Sequence, residues 1–147
     1  MNHENQKIIE GLFPQLLISG YDITSPSTRE YNCIAWAAGN NEVWWWPDPD
    51  GYWPAGIPKV EELDSFIKAY ETLGYVVCEN DSFEEGFEKI AIYIDSDGIP
   101  THAARQLSNG RWTSKLGKLE DIEHSILEGL HGQVYGTVAV FMKRKKS

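Results

Sequence analysis

The chain of 147 residues is short of sulfur and of positive charge, with two cysteines, two methionines, and 13 Lys plus Arg against 22 Asp plus Glu. Two cysteines, Cys33 and Cys78, cannot supply a disulfide framework and are expected as free thiols. His3, His102, His124 and His131 are scattered with no paired Cys/His spacing, so no metal site and no cofactor are expected. The formal net charge of −9 argues against a nucleic-acid backbone as a partner. No apolar run approaches the length of a membrane span, and Met1 to Lys7 is polar where a secretory leader is basic and then apolar. The expected location is cytoplasmic, with no membrane contact. Neither an internal repeat nor a linker divides the chain, so one domain over residues 1–147 is expected, with residues 1–7 frayed and residues 143–147 a basic tail.

The chain does hold 41% hydrophobic residues, the composition of a soluble globular domain. Ile8, Ile9, Leu12 and Phe13 suit a short helix that Pro14 would stop or kink. Tyr21 to Ser27 reads as extended, ending in the turn-prone Ser25-Pro26-Ser27. Pro58 to Leu73 has Val60, Leu63, Phe66, Ile67, Tyr70 and Leu73 on one helical face, with Gly74 closing it. Tyr75 to Cys78 starts a strand. Glu88 to Asp95 alternates Ile90, Ile92 and Ile94 against Ala91 and Tyr93, Thr101 to Leu107 returns, and Asn109-Gly110 turns the chain into Arg111 to Leu116. Leu119 to Leu130 reads as an amphipathic helix with Glu120, Asp121 and His124 on its polar side, and Val134 to Met142 as a closing strand. The pattern predicts an α+β fold, with a helix-borne cysteine packed on an antiparallel meander.

Tyr31-Asn32-Cys33-Ile34-Ala35-Trp36-Ala37-Ala38-Gly39 carries the one thiol at a readable boundary. With Asn32 as N-cap and Gly39 as the left-handed stop, Cys33 is the first helical residue, where the helix dipole lowers a thiol pKa. A rival start, the capping box Ser27-x-x-Glu30, puts Cys33 in mid-helix as an ordinary buried thiol. Between Asn40 and Pro58 the chain is dense in Trp, Pro and Asp. Trp44, Trp45, Trp46 and Trp53 either wall a groove or form a mini-core over one side of the domain.

A cysteine hydrolase needs an imidazole to take the thiol proton, a group to orient it, and donors for the oxyanion. Cys33 as nucleophile, His102 as general base and a polar residue on the following strand supply that order. If Asn109-Gly110 is a two-residue turn, Arg105 sits opposite Ser114, and His102 shares its face with Ala104, Thr113 and Lys115. If Ser108-Asn109-Gly110 is a three-residue loop, His102 shares its face with Ala104, Trp112 and Ser114 instead. Ser114 or Asp121 is the candidate orienter. Asn32, Trp36, Trp44, Trp45, Trp46, Trp53, Arg105, Trp112 and Lys115 are the candidate binding residues.

This layout, over about residues 30 to 117, resembles papain-like hydrolases, including the NlpC-type peptidoglycan endopeptidases. The resemblance implies acyl transfer or hydrolysis of an amide, thioester or isopeptide bond through a Cys33 thioester, on a peptide, glycopeptide or small-molecule substrate. A second resemblance covers nearly the whole chain. Tyr31 to Gly39, Thr101-His102-Ala103-Ala104-Arg105-Gln106, Trp112-Thr113-Ser114-Lys115-Leu116-Gly117 and Asp121-Ile122-Glu123-His124 are similar to a family of small bacterial proteins known as a domain of unknown function. That likeness marks the segments as a shared site and supplies no activity. The alternative reading is a non-catalytic binding or accessory (immunity-type) module that meets a protein partner through the Trp-rich loop, Arg105 and Lys115. A third reading is a ligand-binding pocket for an anionic metabolite, with Arg105 and Lys115 as the charge partners.

Overall fold

A computed structural model describes residues 3–25, 31–39, 44–47, 51–116 and 120–146. The Ser25-Pro26-Ser27 turn beyond Ser25, the Ser27–Glu30 capping box, Asn40 to Val43, Asp48 to Asp50 and Gly117 to Leu119 lie outside those residues. Helices α1 (His3–Leu12) and α2 (Gln15–Ser19) precede strand β1 (Tyr21–Ser25), and α3 (Cys33–Ala37) and α4 (Leu63–Glu71) follow. Six strands complete the order: β2 (Val76–Cys78), β3 (Phe87–Ile94), β4 (Pro100–Gln106), β5 (Trp112–Lys115), β6 (Asp121–His124) and β7 (Thr137–Lys145). A short 3-10 helix, Leu127–Leu130, lies between β6 and β7.

The strands form one antiparallel sheet in the order β1-β6-β5-β4-β3-β7-β2, so the fold is α+β and mostly sheet. Alternation along the strands builds two cores. On one face Ile90, Ile92, Ala103 and Met142 pack under α3 and α4, with Ile34, Phe66 and Tyr70. On the other Ala91, Tyr93, Ala104, Trp112 and Ile122 meet Ile9, Phe13, Leu16, Leu127 and Leu130. Thus residues 1–7 are not all frayed, since α1 begins at His3. Pro14 does break the helix as expected, standing before the first residue of α2.

Three stretches differ from their sequence reading. The helix expected from Pro58 begins only at Leu63. Val60 stays 40% exposed, and the Pro58 carbonyl accepts the Trp53 indole N–H at 3.0 Å, holding this segment to the Trp-rich loop. The basic run Lys143-Arg144-Lys145 is not a tail. It ends β7, where Lys143 pairs with Glu84 at 3.0 Å and Arg144 with Glu88 at 2.9 Å. Most consequential, residues 121–124 form a strand rather than the first turn of an amphipathic helix. A short apolar run carries little periodicity. Here β6 has a strand on each side, β1 and β5, and so satisfies its backbone groups along both edges.

Gly136 locks the turn before β7 against the end of β3. Its φ is 76°, and an added Cβ would lie 1.9 Å from the Ile94 carbonyl oxygen, a backbone atom that cannot swing aside. Gly136→Ala should therefore destabilise the domain by about 3 kcal/mol or more, read as a fall in urea midpoint at constant m. A midpoint close to wild type would mean that the two backbones do not approach so closely.

Candidate functional site

Asn32 decides where the cysteine stands. Its backbone is extended (φ −115°, ψ 179°), and its side-chain oxygen accepts the Ala35 N–H at 3.1 Å, so α3 starts at Cys33 as the first of the two sequence readings has it. The same carboxamide reaches the Trp-rich loop, accepting the Trp45 N–H at 3.0 Å and donating to the Trp45 carbonyl at 2.6 Å. Cys33 is 7% exposed, with its thiol 3.9 Å from the Thr101 carbonyl on β4. Burial pushes the thiol pKa up to about 11. Backbone N–H groups of Ala103, Ile34 and Cys33, with the charge of Lys115, pull the other way and do not offset it. At neutral pH the group is a thiol.

His102 does not pair with it. The imidazole stands beside Tyr93 on the face opposite to α3 and stacks on the Tyr135 ring at 4.1 Å. Among the described residues neither ring nitrogen has a hydrogen-bond partner. Burial, with His124 adding to it, pushes its pKa well below the ordinary histidine value. The Cys33–His102 hydrogen bond of the hydrolase layout is therefore not formed, because alternation sends His102 through the sheet to the second core.

The strand register is the one with the three-residue loop: Arg105 lies opposite Thr113, and Leu107 N–H bonds the Arg111 carbonyl at 2.7 Å. His102 does share its face with Ala104, Trp112 and Ser114. Ser114 nevertheless orients a different imidazole, with Oγ 2.8 Å from His124 Nε2. The other ring nitrogen, Nδ1, lies 3.0 Å from the Ile126 carbonyl, which can only accept. Nδ1 therefore carries the proton and the Ser114 hydroxyl donates to Nε2. His124, read from the sequence as solvent-facing, is fully buried, and burial pushes its pKa down to about 4. Only its place two residues after Ile122, on what proves to be a strand, could have signalled this. Asp121 is likewise not an orienter of His102: it accepts the Tyr31 hydroxyl on the α3 side of the sheet.

Of the aromatic candidates, Trp45 and Trp53 are buried at 4% and 6% exposure and belong to the core around Phe66 and Tyr70. Trp46 is half-buried and packs edge-on against Phe66, and Trp44 is half-buried with its carbonyl bound by Tyr52 N–H at 2.8 Å. The mini-core reading of the loop thus replaces the groove wall for Trp45 and Trp53. Trp112 is buried in the second core, away from α3.

A tight cluster remains on the α3 side, at the seam of α3 with β4 and β5. Trp36 is half-buried, stacks on Tyr31 at 5.2 Å and donates its indole N–H to Thr113 Oγ1 at 2.9 Å. The Arg105 guanidinium lies over the Trp36 ring at 5.2 Å, and its Nε–H donates to the Trp36 carbonyl at 3.3 Å. Lys115, fully buried, lies over the Tyr31 ring at 5.6 Å, across the strand pair from Asp121. Burial pulls both cations down from their ordinary values, and Asp121 acts against it in each. No group of three or more His, Cys, Asp or Glu side chains among the described residues is placed to hold a metal ion.

This arrangement belongs to a recognisable class by sequence. The profile of a domain of unknown function, DUF7689, matches residues 22–143, and the chain belongs to that family. Neither a curated protein nor a solved structure shows a significant match to it. The described residues include no helix long and apolar enough to cross a membrane.

Two predictions test this geometry. At an exposed N-cap Asn→Asp is neutral or favourable, since the cap oxygen is kept and the added charge suits the helix dipole. Asn32→Asp, by contrast, sets a carboxylate oxygen against the Trp45 carbonyl in place of a donor. It should cost about 2 kcal/mol or more in urea unfolding; a neutral result would mean that the Trp45 bond contributes nothing. The second concerns acid. In the folded protein His124 and His102 are held neutral, whereas the unfolded chain takes up protons as pH falls below about 6.5. Stability is then complete above that pH and declines as pH falls towards the folded value of about 4 for His124. Between pH 7 and 5 the loss should be about 2 kcal/mol from His124 alone. An NMR titration showing His124 protonated near 6.5 would contradict it.

Proposed function

We propose that the domain is a non-catalytic binding module whose recognition surface is the seam of α3 with β4 and β5. The observation that carries this reading is Arg105. Its Nε is fixed by the Trp36 carbonyl and its guanidinium carbon lies over the Trp36 ring, while its two terminal nitrogens have no protein partner among the described residues. Desolvating a charge is costly unless something neutralises it, so a half-buried guanidinium with an unspent fork is a pre-organised receptor for a negative group on a partner. Lys115 and Asp121 lie beneath the seam and set its charge, and Trp36 holds the arginine in place.

A second reading keeps the papain-like layout and has Cys33 form a thioester with an acyl substrate. What favours it is the cradle at the sulfur, where backbone N–H groups of Ala103, Ile34 and Cys33, together with Lys115, all favour the thiolate. Against it stand the raised thiol pKa and an imidazole on the far side of the sheet.

Iodoacetamide alkylation from pH 5 to 9 separates the two. For a binding module Cys33 should react more slowly than the half-buried Cys78 throughout, at a rate unchanged by His102→Ala. Fast alkylation of Cys33 below pH 7 that slows when His102 is removed would overturn the binding reading in favour of the thioester.

A further inference from the structure

The cations near the seam differ in what they have left to give. Arg144 spends Nε and Nη2 on Glu88, at 3.0 and 2.9 Å, and Nη1 on the Leu73 carbonyl at 3.0 Å. Arg111 bridges Asp22 and Glu123 at 3.0 and 2.9 Å. The carboxylates whose charge reaches Arg105 are Glu88 and Asp121. Each is already engaged, Glu88 by Arg144 and Asp121 by the Tyr31 hydroxyl. Arg105 is therefore left with its fork open beside carboxylates that are already committed.

Resting on the reading of the seam as a recognition surface, we propose that its ligand is a single carboxylate, held through both oxygens by Nη1 and Nη2 of Arg105. Three observations select that class. One open fork presents two parallel donors, the match for a planar carboxylate. Polyphosphates and other multiply charged anions need several uncompensated cations, and the neighbouring arginines are spent. The whole chain carries −9, a field that disfavours multiply charged anions more than a single charge. The fork is also pre-aimed. Nε is tied to the C-terminal end of α3, and Trp36 beneath it is pinned by Tyr31 and Thr113, so binding orders little that is not ordered already. The carboxylate can come from a small organic acid or from the C-terminus of a peptide, and the chemistry at Arg105 is the same.

The test is an NMR titration of the full chain, following the Arg105 Nε–H and Trp36 indole N–H resonances, both held in hydrogen bonds. The probes are sodium benzoate, inorganic phosphate, and a short acetylated peptide ending in Gly-Phe, as free acid and as C-terminal amide. Benzoate, the peptide acid, or both should move the two resonances saturably, while phosphate and the peptide amide bind at least about tenfold more weakly. Benzoate alone would identify a small acid as the source, and the peptide acid alone a chain terminus. Arg105→Lys, which keeps the charge and loses the fork, should weaken binding of the active probe about tenfold with the spectrum otherwise unchanged. Phosphate as tight as the carboxylates, or an amide as tight as its acid, would overturn the carboxylate class and leave the recognition seam standing. If none of the probes moves either resonance, the carboxylate proposal fails. The recognition reading itself falls only with fast, His102-dependent alkylation of Cys33.

Discussion

The carboxamide of Asn32 is the contact on which the rest of the α3 side depends. With one oxygen it ends the run of unsatisfied N–H groups at the start of α3 and accepts the Trp45 N–H, and with its nitrogen it binds the Trp45 carbonyl. It thereby pairs with Trp45 much as a neighbouring strand would, and docks an otherwise irregular loop onto the helix. Trp45 and Trp53 can then reach Phe66 and Tyr70 and close the core. Since every polar atom involved is buried, the three bonds are worth most as a set: losing one leaves a donor or acceptor without water to replace it. The placement of Cys33 at the first position of α3 is a by-product of this contact, and does not by itself indicate chemistry.

The sheet separates groups that the sequence order puts in series. Cys33, Tyr31, Thr113, Lys115, Asp121 and Arg105 gather on the α3 side. His102, Ser114 and His124 gather on the other, beneath α1, α2 and the 3-10 helix. A strand residue has only two faces to choose from, and a change of one position reverses the choice. Had the loop at Asn109-Gly110 been one residue shorter, Ser114 would have faced α3 with Arg105. The observed register instead gives Ser114 to His124, forming a hydroxyl–imidazole pair of catalytic appearance that no solvent reaches.

Much of this was legible in the residues. Alternation of Ile90, Ile92 and Ile94 marks β3, the Asn109-Gly110 turn marks the β4–β5 hairpin, and Asn32 before Cys33 marks the start of α3. What the sequence could not show was the partner of each surface. Residues 119–130 have an apolar spacing that suits a helix, and only the two flanking strands make 121–124 a strand. Lys143 to Lys145 look like a solvated tail until Glu84 and Glu88 are found opposite them. Cys33 and His102 each carried a plausible role from residue type alone. Whether they meet depends on which way His102 points through a sheet whose register has two self-consistent alternatives.

Burial separates the polar groups that can shed their charge from the one that cannot. A group sealed from water can contribute to the fold only in the protonation state it can afford there: thiol for Cys33, neutral imidazole for His102 and His124. Each shift works against the thiolate–imidazolium form that a cysteine–histidine pair would use, and no gain in the folded protein offsets charging them. Arg105 is the opposite case, since a guanidinium cannot discharge to escape a poor environment. Half-buried, fixed at Nε and without an ion pair among the described residues, it retains a desolvation cost that Trp36 and the charges of Glu88 and Asp121 recover only in part. A carboxylate brought to the open fork would recover the remainder, a gain that none of the sealed, neutral groups around it could make.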